Sequence, residues 1–150
     1  MSSENHVSSR TPQSFGTYRI GQATANMAAV ANAVATIPVL GGGLTNSGNS
    51  ATSGSFIPRR VTIRMPSASM VTSNVSVGKT NDGANLICNS QLLSNVGATN
   101  SWQDLILNGT GAGNVAIDGN TTQALYLNLI SNGVTNGSCQ IVVYGEVITP

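Results

Sequence analysis

Apolar and polar residues alternate along most of this chain in short runs, and each run ends in Gly, Asn, Ser, Thr or Pro. The clearest run is 57–65, where Val61, Ile63 and Met65 alternate with Arg60, Thr62 and Arg64. A strand with that period presents one apolar face and one face carrying two guanidinium groups. Residues 124–130 set Leu125, Leu127 and Leu129 against Tyr126 and Asn128. Residues 139–148 set Cys139, Ile141 and Val143 against Gln140, Val142 and Tyr144. The unbroken Ile141-Val142-Val143 predicts a strand buried on both sides. Further runs lie at 15–20, 33–39, 70–77, 86–93 and 105–107, which makes about eight strands, with a short, weak run at 115–117 besides. Pro38 places its strand at a sheet edge or ends it there, because proline cannot donate to a ladder.

The punctuation supports the same reading. Asn81-Asp82-Gly83 suits a turn with positive φ, and Asn132-Gly133 and Asn136-Gly137 predict a tight hairpin between the last two strands. Residues 41–55 are a Gly/Ser/Asn loop with little to bury, and residues 1–13, polar and aperiodic, read as a flexible N-terminal arm. Residues 14–150 then form one β-sandwich domain, best matched by a jelly roll. One helical reading competes over residues 23–35, where Met27, Val30 and Val34 have helical spacing; Asn26, Asn32 and the threonines weaken it.

Composition changes the picture in one respect. Only 7% of the 150 residues are charged and the net charge is +1, against about 25% charged in an ordinary soluble domain. A surface so poor in charge suits a protein whose faces are covered by copies of itself or by a partner. The alternative is an extracellular β-protein with a neutral polar surface. Residues 1–6 show no basic stretch leading into an apolar run, so no secretory leader is expected. The apolar stretch 27–40, broken by Asn32, Thr36 and Pro38, is too short to span a bilayer, and no membrane partner is expected. Four Asn-x-Ser/Thr sequons, at Asn74, Asn108, Asn120 and Asn136, then reflect composition. Cys88 and Cys139 fit no metal spacing and sit in apolar runs, which favours buried free thiols.

Candidate chemistry is sparse. The one histidine, His6, falls in the arm, which removes mechanisms needing an imidazole held against a nucleophile. A carboxylate pair would have to come from Asp82, Asp104, Asp118 and Glu146, of which Asp82 and Asp118 sit in turn-like stretches. The glycine run at 109–114 has no lysine in register, the only lysine being Lys79, so it reads as a loop and not a phosphate cradle. No enzyme activity, cofactor or metal is expected. Arg59, Arg60 and Arg64 cluster on one strand, but a net charge of +1 supplies little of the attraction nucleic acid requires. With Arg10 of the arm they are candidates for contacts to a partner or neighbouring subunit. Trp102 reads as a buried cap on the core. The alternative is an aromatic platform for sugars in a glycan-binding module.

Three segments carry a resemblance: Ala33-Val34-Ala35-Thr36-Ile37-Pro38-Val39, then Phe56-Ile57-Pro58-Arg59-Arg60-Val61-Thr62-Ile63-Arg64, then Cys139-Gln140-Ile141-Val142-Val143-Tyr144-Gly145. In that order, over residues 33–148, the chain resembles tailed-bacteriophage virion proteins of the head decoration or cement type. The resemblance implies a jelly-roll-like sandwich, a homotrimer, and a place on the capsid surface clamping the major capsid protein, after assembly in the host cytoplasm. It brings no catalytic residues. A capsid shell or fibre subunit of a virion is the nearest rival.

Overall fold

A computed structural model of the chain describes residues 18–27, 34–39, 55–110, 117–118, 124–130 and 137–148. These residues form nine strands and no helix: β1 (Tyr18–Met27), β2 (Val34–Pro38), β3 (Ser55–Arg64), β4 (Asn74–Gly78), β5 (Leu86–Leu92), β6 (Trp102–Leu105), β7 (Ile117–Asp118), β8 (Ala124–Ile130) and β9 (Gly137–Ile148).

Pairing follows a nested order. β1 pairs with β9, β2 with β8, β3 with β6 and β4 with β5, all antiparallel. Those four pairs describe one long ribbon of two antiparallel lengths of chain. The β3–β9 and β4–β8 pairings roll the ribbon into two sheets, ordered β1-β9-β3-β6 and β2-β8-β4-β5. That winding is a jelly roll. The two-residue β7 adds a short pairing to the start of β3. The two sheets also meet at one corner through a bridge from Gly21 of β1 to Val39 after β2.

The core fills the space between the sheets, as the alternation predicts. One sheet contributes Phe56, Val61, Ile63, Leu105, Cys139, Ile141 and Val143. The other contributes Ile37, Val75, Val77, Ile87, Cys88, Leu125, Leu127 and Leu129; Met70 and Val96 close one end from loops. Two bulges keep the phase. The register shifts between Pro58 and Arg60, so Phe56 and Val61 both point inward although an odd number of positions separates them. A shift between Arg19 and Gly21 does the same for Ile20 and Ala25.

Several expectations are met. β9 lies between β1 and β3, and Val142 on its outer face is fully buried. β2, with Pro38, is an edge strand. Gly83 has φ 79°, as the Asp-Gly turn requires.

Others are corrected. β8 and β9 belong to different sheets, so the expected terminal hairpin does not form: each strand already has two neighbours elsewhere in the roll. Residues 23–27 belong to β1 and 34–35 to β2, which replaces the helical reading; pairing with β9 and burial of Ala25 override the helix propensity of alanine. Boundaries move at 15–20, where the strand runs Tyr18–Met27, and at 105–107, where it is Trp102–Leu105. Residues 70–73 form a turn ahead of β4. The arm 1–13, the loop 41–54 and the Asn132-Gly133 turn lie outside the described residues.

The edge at β5 is closed by side chains. Gln91 accepts from Ile106 N at 2.8 Å and donates to Ile106 O at 2.7 Å, and Asn89 donates twice to Asn108, from its backbone N to Oδ1 at 3.0 Å and from Nδ2 to the carbonyl oxygen at 3.1 Å. These amides occupy positions a further strand would take, which blunts edge-to-edge pairing.

Candidate functional site

The outer face of the β1-β9-β3-β6 sheet collects most of the distinctive side chains. Register stacks them in rows across the strands. Trp102, Arg64 and Gln140 form one row, Asp104, Thr62 and Val142 the next, and Arg60 lies opposite Tyr144 in the third. The alternation of β3 that sends Val61 and Ile63 into the core therefore sends Arg60, Thr62 and Arg64 to this face.

The rows are cross-linked. Arg60 stacks over the Tyr144 ring at 4.5 Å from its centroid, and its Nε lies 3.6 Å from Asp104 Oδ1. The Thr62 hydroxyl donates to the same Asp104 oxygen at 2.5 Å. Asp104 is thus fixed from below by Thr62 and draws Arg60 sideways, holding its guanidinium over the ring. Arg64 donates from Nε to Gln140 Oε1 at 2.6 Å, a neutral partner. Between Arg60, Arg64, Trp102 and Tyr144 lies a groove of ≈ 470 Å³, rimmed by Met65, Asn100 and Ser101.

Of the residues singled out from sequence, Arg60 and Arg64 line this groove. Arg59, the extra residue of the β3 bulge, is carried away from it and pairs with Glu146 at 2.8 Å. Arg10 lies outside the described residues. Trp102 reverses its expectation: it is 59% exposed and caps no core. The signal was present in β6. Trp102 and Asp104 share one face at a period of two, while the buried Leu105 takes the other. Met65, expected on the apolar face with Val61 and Ile63, is corrected: the strand ends at Arg64, and Met65 is 61% exposed with φ 52°, a left-handed conformation uncommon for any residue but glycine.

The remaining candidate groups are accounted for locally. Asp82 accepts from the Thr80 hydroxyl at 2.6 Å and from Ala84 N at 2.9 Å, and these bonds, the hydroxyl foremost, lower its pKa from the usual value. Asp104 and Glu146 are engaged by Arg60 and Arg59. Among the described residues no group of three or more His, Cys, Asp and Glu could hold a metal ion, and no helix is long and apolar enough to cross a membrane.

Cys88 and Cys139 are free and buried. Burial pushes each thiol from 9.0 up to about 12. The unfolded chain releases these protons near pH 9 while the folded chain retains them, so above that pH the unfolded state binds fewer protons and stability falls as pH rises toward 12. Native protein at pH 8 is expected to leave both thiols unreacted with an aromatic disulfide reagent, and to titrate both after unfolding. Rapid labelling of either thiol in native protein contradicts their burial.

The site therefore offers an aromatic surface, two oriented guanidinium groups and neutral hydrogen-bonding rims, a constellation for binding. Comparison with protein-family models and with curated proteins finds no match.

Proposed function

We propose that this chain is a viral structural protein, a capsid decoration or cement protein that acts by binding the outer shell of a phage. The observation that carries the reading is a jelly-roll strand order combined with only 7% charged residues. Jelly rolls serve viral capsid proteins and lectins alike, and fold alone does not choose between them. The scarcity of charge favours the first, because it leaves little repulsion to keep copies and partners apart. Val34, Leu92 and Ile106, at 48%, 48% and 67% exposed, supply apolar surface for such contacts.

In this role the protein spans neighbouring capsomers of the major capsid protein. Binding the assembled shell and not its parts stabilises assembly by mass action, worth about 2.7 kcal/mol at a hundredfold excess over Kd. A homotrimer suits a site where three capsomers meet, and closed cyclic symmetry is the usual result of self-association. Arg10 of the N-terminal segment and Arg59 on the β3 bulge are proposed contacts.

The test is sedimentation of purified protein with empty shells of the capsid protein encoded in the same genome, beside light scattering of the protein alone. Saturable co-sedimentation and a trimer mass are the expected results. Absence of co-sedimentation, with the protein instead forming shells or fibres by itself, would replace this reading with that of a shell or fibre subunit.

A further inference from the structure

We propose that the groove between Trp102, Arg64 and Tyr144 is a binding site for an acidic saccharide, with the sugar ring against the Trp102 face and its carboxylate on the Arg64 guanidinium. The proposal does not rest on the capsid assignment.

Trp102 lies on a four-residue strand at the edge of its sheet and leaves more than half of its surface in water. An amphipathic ring of this kind is enriched at contact surfaces, where one side is apolar and the other wet. Its position is held: Met65 N donates to Ser101 O at 3.2 Å, tying the residue before Trp102 to the end of β3. Met65 itself keeps its left-handed φ directly before Pro66, where the chain is already restricted. Strain of this kind concentrates at ligand sites.

Charge identifies the ligand further. Of the other described arginines of this sheet, Arg59 has Glu146 and Arg60 has Asp104 within ion-pair distance, while Arg19, which does not line the groove, donates to the neutral Gln22 at 2.8 Å. Arg64, among the described residues, has only the neutral Gln140, bonded through Nε. That bond fixes the plane of the guanidinium and leaves its Nη donors for a bidentate carboxylate. The groove is thus positively charged beside an aromatic face, with Asn100, Ser101 and Tyr144 for hydroxyl groups. At ≈ 470 Å³ it has the dimensions of a small-molecule site. A folded protein partner would need about 800 Å² on each side.

Trp102 is the only tryptophan in the chain, so its fluorescence reports directly on the groove. The full chain is titrated with digalacturonate and with N-acetylneuraminate, and in parallel with galactose, acetate and a polyglutamate peptide. A saturable change with at least one acidic sugar is expected, with galactose and acetate weaker by about tenfold or more. Arg64→Gln should lose about tenfold in affinity, and Lys79→Gln, which removes a positive charge outside the groove, nothing. Calorimetry on Trp102→Ala should show no binding, and unchanged melting of each variant confirms that it folds. Arg64→Lys, which keeps the charge and loses the fork, should fall between wild type and Arg64→Gln. Saturation by neither acidic sugar, equal affinity for galactose, or an unchanged Arg64→Gln overturns the proposal. Binding of polyglutamate alone overturns it in favour of an acidic protein segment.

Discussion

Replacing Gly145 by alanine is expected to lower the melting temperature by about 10 °C or more, a loss of about 3 kcal/mol at the upper end of overpacking costs. Gly145 lies in β9 opposite Pro58, beside the β3 bulge. A Cβ there would come 2.2 Å from the carbonyl oxygen of Ile57 and 3.0 Å from its carbon, with Ile20 Cδ1 at 3.1 Å. The first two contacts are main chain and cannot turn aside as a flexible side chain does. Relief requires β3 and β9 to separate where the bulge sets the phase for both Phe56 and Val61, and those residues would lose their inward positions together. Gly83→Ala is the control. Gly83 has φ 79° but open space around its Cβ position, so the change costs only the left-handed backbone term, about 1 kcal/mol. Thermal unfolding of the two variants decides the matter. Gly145 holds no left-handed φ, so equal losses would show that β3 and β9 give way to the added Cβ at little cost.

The same bulges explain how far the sequence could be read. β8 and the outer half of β3 were legible because one face of each is buried and period-two alternation runs unbroken through Leu125, Leu127 and Leu129 and through Val61 and Ile63. β1 was misplaced. Its alternation breaks at Ile20, and its buried face is made of alanine, which carries little hydropathic contrast and favours helix in isolation. The hairpin expected between the last two strands failed for a different reason. Asn-Gly pairs specify that a chain turns, whereas the choice of partner belongs to the whole roll, which sends β8 and β9 to opposite sheets. Of the site, the Arg60 and Arg64 face was visible in the alternation of β3 alone. The groove was not, since it exists only when β6 brings Trp102 beside Arg64 across 38 positions of sequence. A lone aromatic reads as core until the phase of its strand is known; Asp104 carried that phase.

Phe56→Ala is expected to destabilise the fold by about 3–5 kcal/mol, the range for truncating a fully buried aromatic. Phe56 is completely buried and is the bulkiest of the fully buried side chains among the described residues. Its backbone pairs with Val147 on one side and Ile117 on the other, so the side chain enters the core where three strands of one sheet meet. The neighbours cannot collapse freely into the space. β9 is fixed in register by β1 as well as by β3, and its inward positions at Cys139, Ile141 and Val143 are committed farther along the strand. The cavity term should therefore persist in addition to the lost transfer free energy. β7 has no partner but β3 among the described strands, and with two paired residues it has little to hold it once Phe56 is gone. Denaturant unfolding measures the loss as a fall in midpoint at nearly unchanged slope. Hydrogen exchange at Ile117 and Asp118 should rise ahead of the rest of the sheet. A loss below about 1.5 kcal/mol would mean that the surrounding strands repack into the vacated volume, and that the core is less committed at this end of the roll than the pairing of β3, β7 and β9 implies.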